Sequence, residues 1–359
     1  MMIELPVFKA RSQPKLSQAL LARSFARDPS KGPLSLEVAS RVLFAAYGCT
    51  ARKWGLPLRT APSAGATYPL SIRAVVRDVE GLEPGVYVYS SVSPLEHGLS
   101  PSGGSTEGDA PLTILVDCEP ERTTRVYGGR GYMYINEEVG HVVQCVAVES
   151  GVLGLTFRAR IRPATRGTVA EIDVYPAESV ELPEPLTEKE LGAEEALLRR
   201  RSVRKYSPRS LSIEEVEYIL SCAVGPSRAS KTYPPTPRYT AKLYLAVRNV
   251  EDLKPGVYSF EPGEGLELLK TGDPSSALSA AALRQSWVRE APANVVIASS
   301  RDAWESEVEA GMAGQNVCLA ATAIGLGTVT IGAFYDDEVA SVLGIEERPL
   351  YILPIGAPV

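Results

Sequence analysis

The chain has 359 residues, 45% hydrophobic, 22% charged and 7% aromatic, with a formal net charge of −6 at pH 7. The apolar share is that of a folded protein, and the length favours two domains over one. No run of ~18 apolar residues is present to span a membrane, the first residues lack the apolar stretch of a cleaved export signal, and the acidic balance argues against a dedicated nucleic-acid binder. Five widely spaced cysteines form no C-x-x-C, and the only histidines are His97 and His141. A disulfide framework, a structural zinc site and a three-histidine metal centre are therefore not expected, and a reducing cytoplasm fits. If the chain is an enzyme, its chemistry is expected to come from a bound organic cofactor.

The elements are expected to come in two similar sets. The first set opens with a helix ending in Ala22, Arg23, Ser24, Phe25 and Ala26, followed by a second helix and then a loop carrying Pro62, Ser63, Ala64 and Gly65. A strand, the hexapeptide LEPGVY at 82–87 and a polar glycine-rich loop at 100–110 come next. A strand at 112–117, a glycine loop with three tyrosines at 125–134 and a long apolar helix, with His141 near its start, complete the set. Residues 176–190, rich in proline and glutamate, read as a linker. The second set begins with a helix ending in Arg199, Arg200, Arg201, Ser202, Val203 and Arg204. Ser212 and Glu215 predict a capping box, with Val216, Ile219, Leu220 and Ala223 on one helical face. Strands are expected at 242–248, 257–260 and 294–299. A buried helix at 309–324 then precedes Gly325, Leu326, Gly327 and a final strand.

The two sets align. LEPGVY at 82–87 returns as LKPGVY at 253–258, a shift of 171 positions. Glu138, Gly140, Gln144 and Gly154 meet Glu309, Gly311, Gln315 and Gly325 at the same shift. The opening helices align at a shift of 178. Three matched blocks in one order indicate a duplication. The expected fold is α+β, with mainly antiparallel sheets under packed helices, in two domains, 1–180 and 181–359.

Four arginines in the six residues 199–204 repel one another unless an anion or carboxylates sit among them. Arginine suits bidentate phosphate binding, and Ser202 adds a hydroxyl; a solvated helix end is the plain alternative. Pro62, Ser63 and Gly65 allow close backbone approach to a ligand or form an ordinary turn. Gly325, Leu326 and Gly327, with Gly332 and Ala333 beyond, either end a helix or lay bare backbone against a flat ring. Within 125–134, Tyr127 and Arg130 are polar groups able to face a substrate, in what is otherwise a surface loop. His141 reads as a core or interface histidine rather than a catalyst.

Taken together, R-R-S-x-R opening a domain, a long helix and G-L-G-T-x-x-I-G resemble the nitroreductase-fold flavoproteins. PSAGATYP, GLEPGVYVY and RVYGGRGYMYINEEVGHVVQ, in that order, resemble the SagB-type azoline dehydrogenase branch. Arg125, Val126 and Tyr127 resemble that branch's Lys-x-Tyr pair with arginine for lysine, and arginine does not serve as a neutral base. Members are usually homodimers binding FMN at the subunit interface, so the resemblance implies an intramolecular pseudo-dimer in this chain, itself a monomer or a further homodimer. The second copy keeps the phosphate cluster, and the first keeps the PSAG loop. The resemblance thus implies one composite FMN site, with phosphate on Arg200, Arg201, Ser202 and Arg204 and ring near Gly325, Leu326, Gly327, Gly332 and Ala333. Pro62, Ser63 and Gly65 would reach across, Tyr127 and Arg130 would stand beside a small-molecule substrate, and the mirror-related site would be weak or empty. The implied function is hydride transfer through flavin, with NAD(P)H among the candidate partners. A non-catalytic flavin-binding or protein-interaction module is the alternative.

Overall fold

The capping box at Ser212 forms as its sequence dictates: the Glu215 N–H donates to Ser212 Oγ (3.3 Å) and the Ser212 N–H to the Glu215 carboxylate (2.9 Å). Ser35 starts the helix after it in the same way, its Oγ accepting from the Val38 N–H (3.3 Å), in the computed structural model, which describes residues 2–178, 181–236 and 240–359. The first half runs β1 (Ile3–Glu4), α1 (Leu16–Leu21), α2 (Leu36–Tyr47), β2 (Cys49–Lys53), β3 (Leu56–Arg59), β4 (Leu70–Val76) and β5 (Gly85–Ser93). It continues β6 (Glu96–Ser102), β7 (Leu112–Cys118), α3 (Glu121–Tyr127), α4 (Gly131–Leu153), β8 (Leu155–Ile161) and β9 (Gly167–Pro176). The second half runs α5 (Ala193–Arg199), α6 (Ile213–Val224), β10 (Ala241–Val247), β11 (Gly256–Glu261), β12 (Gly265–Thr271) and α7 (Ser275–Ala281). It closes with α8 (Ser286–Glu290), β13 (Ala293–Ser299), α9 (Trp304–Ala323), β14 (Gly327–Thr328), α10 (Asp336–Leu343) and β15 (Arg348–Gly356).

The fold is α+β. One antiparallel sheet has the order β1-β6-β5-β4-β7-β9-β8, the other β12-β11-β10-β13-β15-β14, and β2 with β3 forms a separate hairpin. Strands β5-β4-β7-β9-β8 correspond in order to β11-β10-β13-β15-β14, so the two sheets share one connectivity. Two sequence expectations are corrected. The segment 125–134 is helical rather than a loop: α3 ends at Gly128 (φ +60), a 3-10 turn covers 128–130 and α4 starts at Gly131, which puts His141 in mid-helix. After Gly325 the chain pairs for only two residues in β14, and β15 fills the place that β9 holds in the first half.

Helices α4 and α9 lie buried between the sheets, as apolar faces all round require. Their backbones touch where the repeat matches glycine with glycine. A Cβ on Gly140 would strike the Val308 carbonyl and come 3.0 Å from Gly311 Cα; one on Gly311 would strike the Glu137 carbonyl oxygen and come 2.8 Å from its carbon. Two polar pairs cross this seam: Gln144 Nε2 donates to Asn316 Oδ1 (2.8 Å), and His141 Nδ1 lies 2.8 Å from Gln315 Oε1. Burial pulls the His141 imidazole down to about 3, so it is a neutral donor to Gln315. An ion pair and a hydrogen bond also cross between the halves: Arg41 Nη2 lies 2.5 Å from Glu194 Oε1, and the Ser17 N–H donates to Glu190 Oε2 (2.9 Å). One apolar cluster runs through both halves, so each depends on the other for its core.

Candidate functional site

Past the end of α5 the backbone leaves helical geometry at Arg200. Ser202 then bridges Thr328 in parallel, and the Val203 N–H donates to the Thr328 carbonyl (2.9 Å). The R-R-S-x-R segment thereby lies alongside the glycine motif that follows α9. Each member of that motif has a packing reason. Gly325 adopts φ +77 with open space around it and stops α9; Leu326 is core; a Cβ on Gly327 would come 2.5 Å from Val203 Cγ2.

The arginines of this segment reach into the first half. Arg200 is buried and donates from Nε to the Thr60 carbonyl (3.1 Å) and from Nη2 to the Arg59 carbonyl (2.8 Å). Arg201 donates from Nη1 to Thr50 Oγ1 (3.1 Å), and burial together with Arg200 pulls its pKa down. Arg59 itself lies 4.5 Å over the Tyr47 ring and 5.5 Å over Tyr68, its Nε buried without a hydrogen-bond partner. Ser202 and Arg204 are exposed, Arg204 5.7 Å over the Trp287 ring. Arg199 pairs with Glu195 at 3.3 Å. Among the described residues no carboxylate stands within 4.0 Å of Arg59, Arg200, Arg201 or Arg204. Buried atoms nearby also lack partners: Thr328 Oγ1 and Trp287 Nε1.

The glycine loop of the first half meets the second half through two tyrosines. Pro62 and Ser63 follow Thr60, and Ser63 Oγ accepts from the Tyr68 N–H (3.0 Å). Gly65, at φ +56, lies against the Tyr127 hydroxyl; the Tyr127 and Tyr134 rings meet edge to face at 5.1 Å. Tyr134 donates to the Gly332 carbonyl (3.1 Å), as does Arg130 Nε (2.8 Å), while Arg130 Nη2 pairs with Asp336 Oδ1 (2.7 Å) and its guanidinium covers the Phe334 ring at 4.9 Å. A Cβ on Gly332 would come 2.6 Å from Tyr134 Cε1. The Ala333 carbonyl accepts from Gln285 Nε2 (3.1 Å). Arg130 and Tyr134 of the first half thus bond Gly332 of the second, Gly65 lies behind Tyr127, and Arg200 bonds the Thr60 carbonyl two residues before Pro62.

Two acids here were not singled out as site residues in the sequence reading. Glu137 is fully buried, faces Gly332 and has no well-aligned hydrogen bond on either oxygen, although the Tyr351 hydroxyl approaches it. Burial and Glu307 push its carboxyl up. Glu138 accepts from the Tyr47 hydroxyl (2.5 Å) and bonds Ser63; burial outweighs both and pushes it up to about 7. The signal was available, since an acidic pair inside an otherwise apolar helix, one member repeated at Glu309, has to be paired or protonated.

The Nitroreductase family model matches residues 197–357. A curated relative from Methanocaldococcus jannaschii, assigned as a nitroreductase, is 41% identical over 155 residues, spanning 39% of this chain and 75% of the relative. The fold matches a crystal structure from Anabaena variabilis, likewise assigned as a nitroreductase, with a TM-score of 0.77 at 20% identity, over 99% of this chain and 94% of that one. With this similarity over three quarters of the curated relative, the chain belongs to the nitroreductase family.

Proposed function

We propose that this protein is an FMN-dependent oxidoreductase with one composite flavin site between its halves, acting on a small molecule with NAD(P)H as electron donor. The observation that carries the reading is the arginine group without carboxylates. No carboxylate among the described residues stands within 4.0 Å of Arg59, Arg200, Arg201 or Arg204; the buried or half-buried Arg59, Arg200 and Arg201 ask for an anion, and the exposed Arg204 adds a further donor from the same segment. The dianionic phosphate of FMN fits that donor set, with Arg201, Ser202 and Arg204 as its ligands. Arg200 braces the Thr60 corner from which Pro62 and Ser63 extend. Gly325, Leu326 and Gly327 hold Ser202 in register, and Gly332 with Ala333 offers backbone to the ring.

Bound FMN supplies hydride transfer between a reductant and an acceptor. The chain supplies the rest. Arg130 clamps the Gly332 backbone, Tyr127 presents a hydroxyl beside Gly65, and Glu137, its carboxyl pushed up by burial, stands behind Gly332. A cytoplasmic location and the SagB-type branch belong to the same proposal, the latter resting on the three sequence blocks described above. One observation favours a non-catalytic module instead: Tyr127 and Tyr134 fill the space between Gly65 and Gly332. The absorbance spectrum of the purified protein separates the readings. A flavin band at one equivalent per chain, bleached by NAD(P)H and restored by a quinone or nitroarene, supports the enzyme. A stable band that NAD(P)H does not bleach supports the module, and a colourless protein that takes up no FMN refutes both flavin readings.

A further inference from the structure

The pseudo-twofold relation between the halves places a second cleft opposite the composite site, with a volume of about 590 Å³. Its walls are the repeat counterparts of the site just described. At the 171-residue shift Phe157 stands for Thr328, Ile161 for Gly332, Val308 for Glu137 and Met312 for His141. Phe25 takes the place of Val203, and Pro234 and Pro235 belong to the counterpart of the Pro62–Gly65 loop. At each of the four matched positions a glycine or polar group on one side faces an apolar side chain on the other.

The phosphate end of this cleft is closed by its own chemistry. Arg23 donates to the Ala229 carbonyl (3.1 Å) and Arg27 to the Ala22 carbonyl. Ser24 is buried and its hydroxyl donates to the Ala147 carbonyl (2.9 Å). Alanines at 22 and 26 stand where the second half has Arg200 and Arg204. On the lining itself the two charges, Arg158 and Glu305, are opposite in sign, and the other lining residues are uncharged. Its volume lies within the range of small-ligand pockets, roughly 300–1,000 Å³. Phe157, Ala159 and Ile161 alternate with exposed residues along β8 and so present one face of the strand to it.

We infer that this cleft is a second ligand site, selective for an uncharged aromatic small molecule without phosphate. Aromatic walls at Phe25, Phe157 and Trp304 supply ring faces and edges, and Met312 supplies a polarizable contact. A phosphorylated ligand would meet alanines at 22 and 26 in place of Arg200 and Arg204, Ser24 already bonded to the Ala147 carbonyl, and Arg23 and Arg27 turned to backbone carbonyls. The inference stands on the cleft and the repeat relation, independent of whether the composite site takes FMN.

The test uses the full chain and N-phenyl-1-naphthylamine, a neutral aromatic fluorophore, titrated into the protein as purified, with flavin content measured on the same sample. Expected are saturable binding at one probe per chain, about tenfold weakening in Ala159→Trp and Ile161→Lys, unchanged far-UV circular dichroism in both, and no displacement by FMN. Probe binding that does not saturate overturns the inference, as does full affinity in both variants or displacement by FMN. If Ile161→Lys misfolds, Ala159→Trp, which only fills space, decides alone. Flavin stoichiometry is a separate readout, so the flavin proposal and this one fail independently.

Discussion

Replacing Gly311 by alanine sets two effects against each other with opposite signs. In an ordinary helix interior, glycine to alanine stabilises by about 1 kcal/mol. Here the new Cβ would sit 2.8 Å from the Glu137 carbonyl carbon and 2.9 Å from its Cα, both backbone atoms of α4. A relaxed carbon–carbon contact needs about 3.5 Å, and the Glu137 carbonyl oxygen lies closer still, so the helices must separate by more than roughly 0.7 Å along the seam. Overpacking costs about 1–3 kcal/mol, and backbone on both sides places this case at the upper end. A net loss of ~2 kcal/mol is expected for Gly311→Ala and likewise for its repeat mate Gly140→Ala. Gly314→Ala, three residues along α9, faces the edge of the Tyr351 ring at 3.2 Å, which can yield, and should be close to neutral. Denaturant unfolding followed by circular dichroism measures all three. A Gly311→Ala protein as stable as the parent would refute the close approach of α4 and α9.

Other expectations concern the composite site and its acids. Arg204→Ala should lower flavin affinity at least tenfold in a flavin titration, and Arg27→Ala should leave it unchanged; equal effects would contradict a single phosphate site. Tyr127→Phe should slow NAD(P)H-dependent turnover while flavin content stays at the parental level, and full activity would remove the hydroxyl from the reaction. Glu138 is raised from 4.5 to about 7 in the folded state, so the folded chain holds this proton more tightly than the unfolded one. Its contribution to stability is complete below pH 4.5 and is lost as pH rises through about 7, an effect of up to ~3 kcal/mol. Glu138→Gln should therefore flatten the fall in unfolding midpoint between pH 5 and pH 8. An unaltered slope would show that Glu138 is ionised in the native state.

How much of this was legible in the sequence depends on whether the signal was local. The capping box at Ser212, the Pro-Gly turns and the strand at 294–299 are set by neighbouring residues and stand where periodicity puts them. The repeat revealed the matched glycines at 140 and 311 but not that they touch, because contact between helices is a tertiary fact. The pair Gly128 and Gly129 suggested a loop; flanking helix formers and packing on α4 turn it into a one-turn break. Composition could place four arginines in six residues but could not aim them. Arg200 turns inward to two backbone carbonyls while Ser202 and Arg204 stay on the surface. Arg59 lies 141 positions upstream of Arg200, its neighbour in the second half, and no motif ties the two together.

The glycine seam joining α4 to α9 also bears on how such a molecule can change. In an assembly of two identical subunits every substitution is expressed twice, so neither of two symmetric grooves can drift without its twin. A single polypeptide carrying both partners removes that constraint: residues 22–26 and 200–204 are encoded separately and vary separately. One groove is free to acquire a new preference while its sibling keeps the old one, and tethering ensures that the mismatched partners still find each other at any dilution.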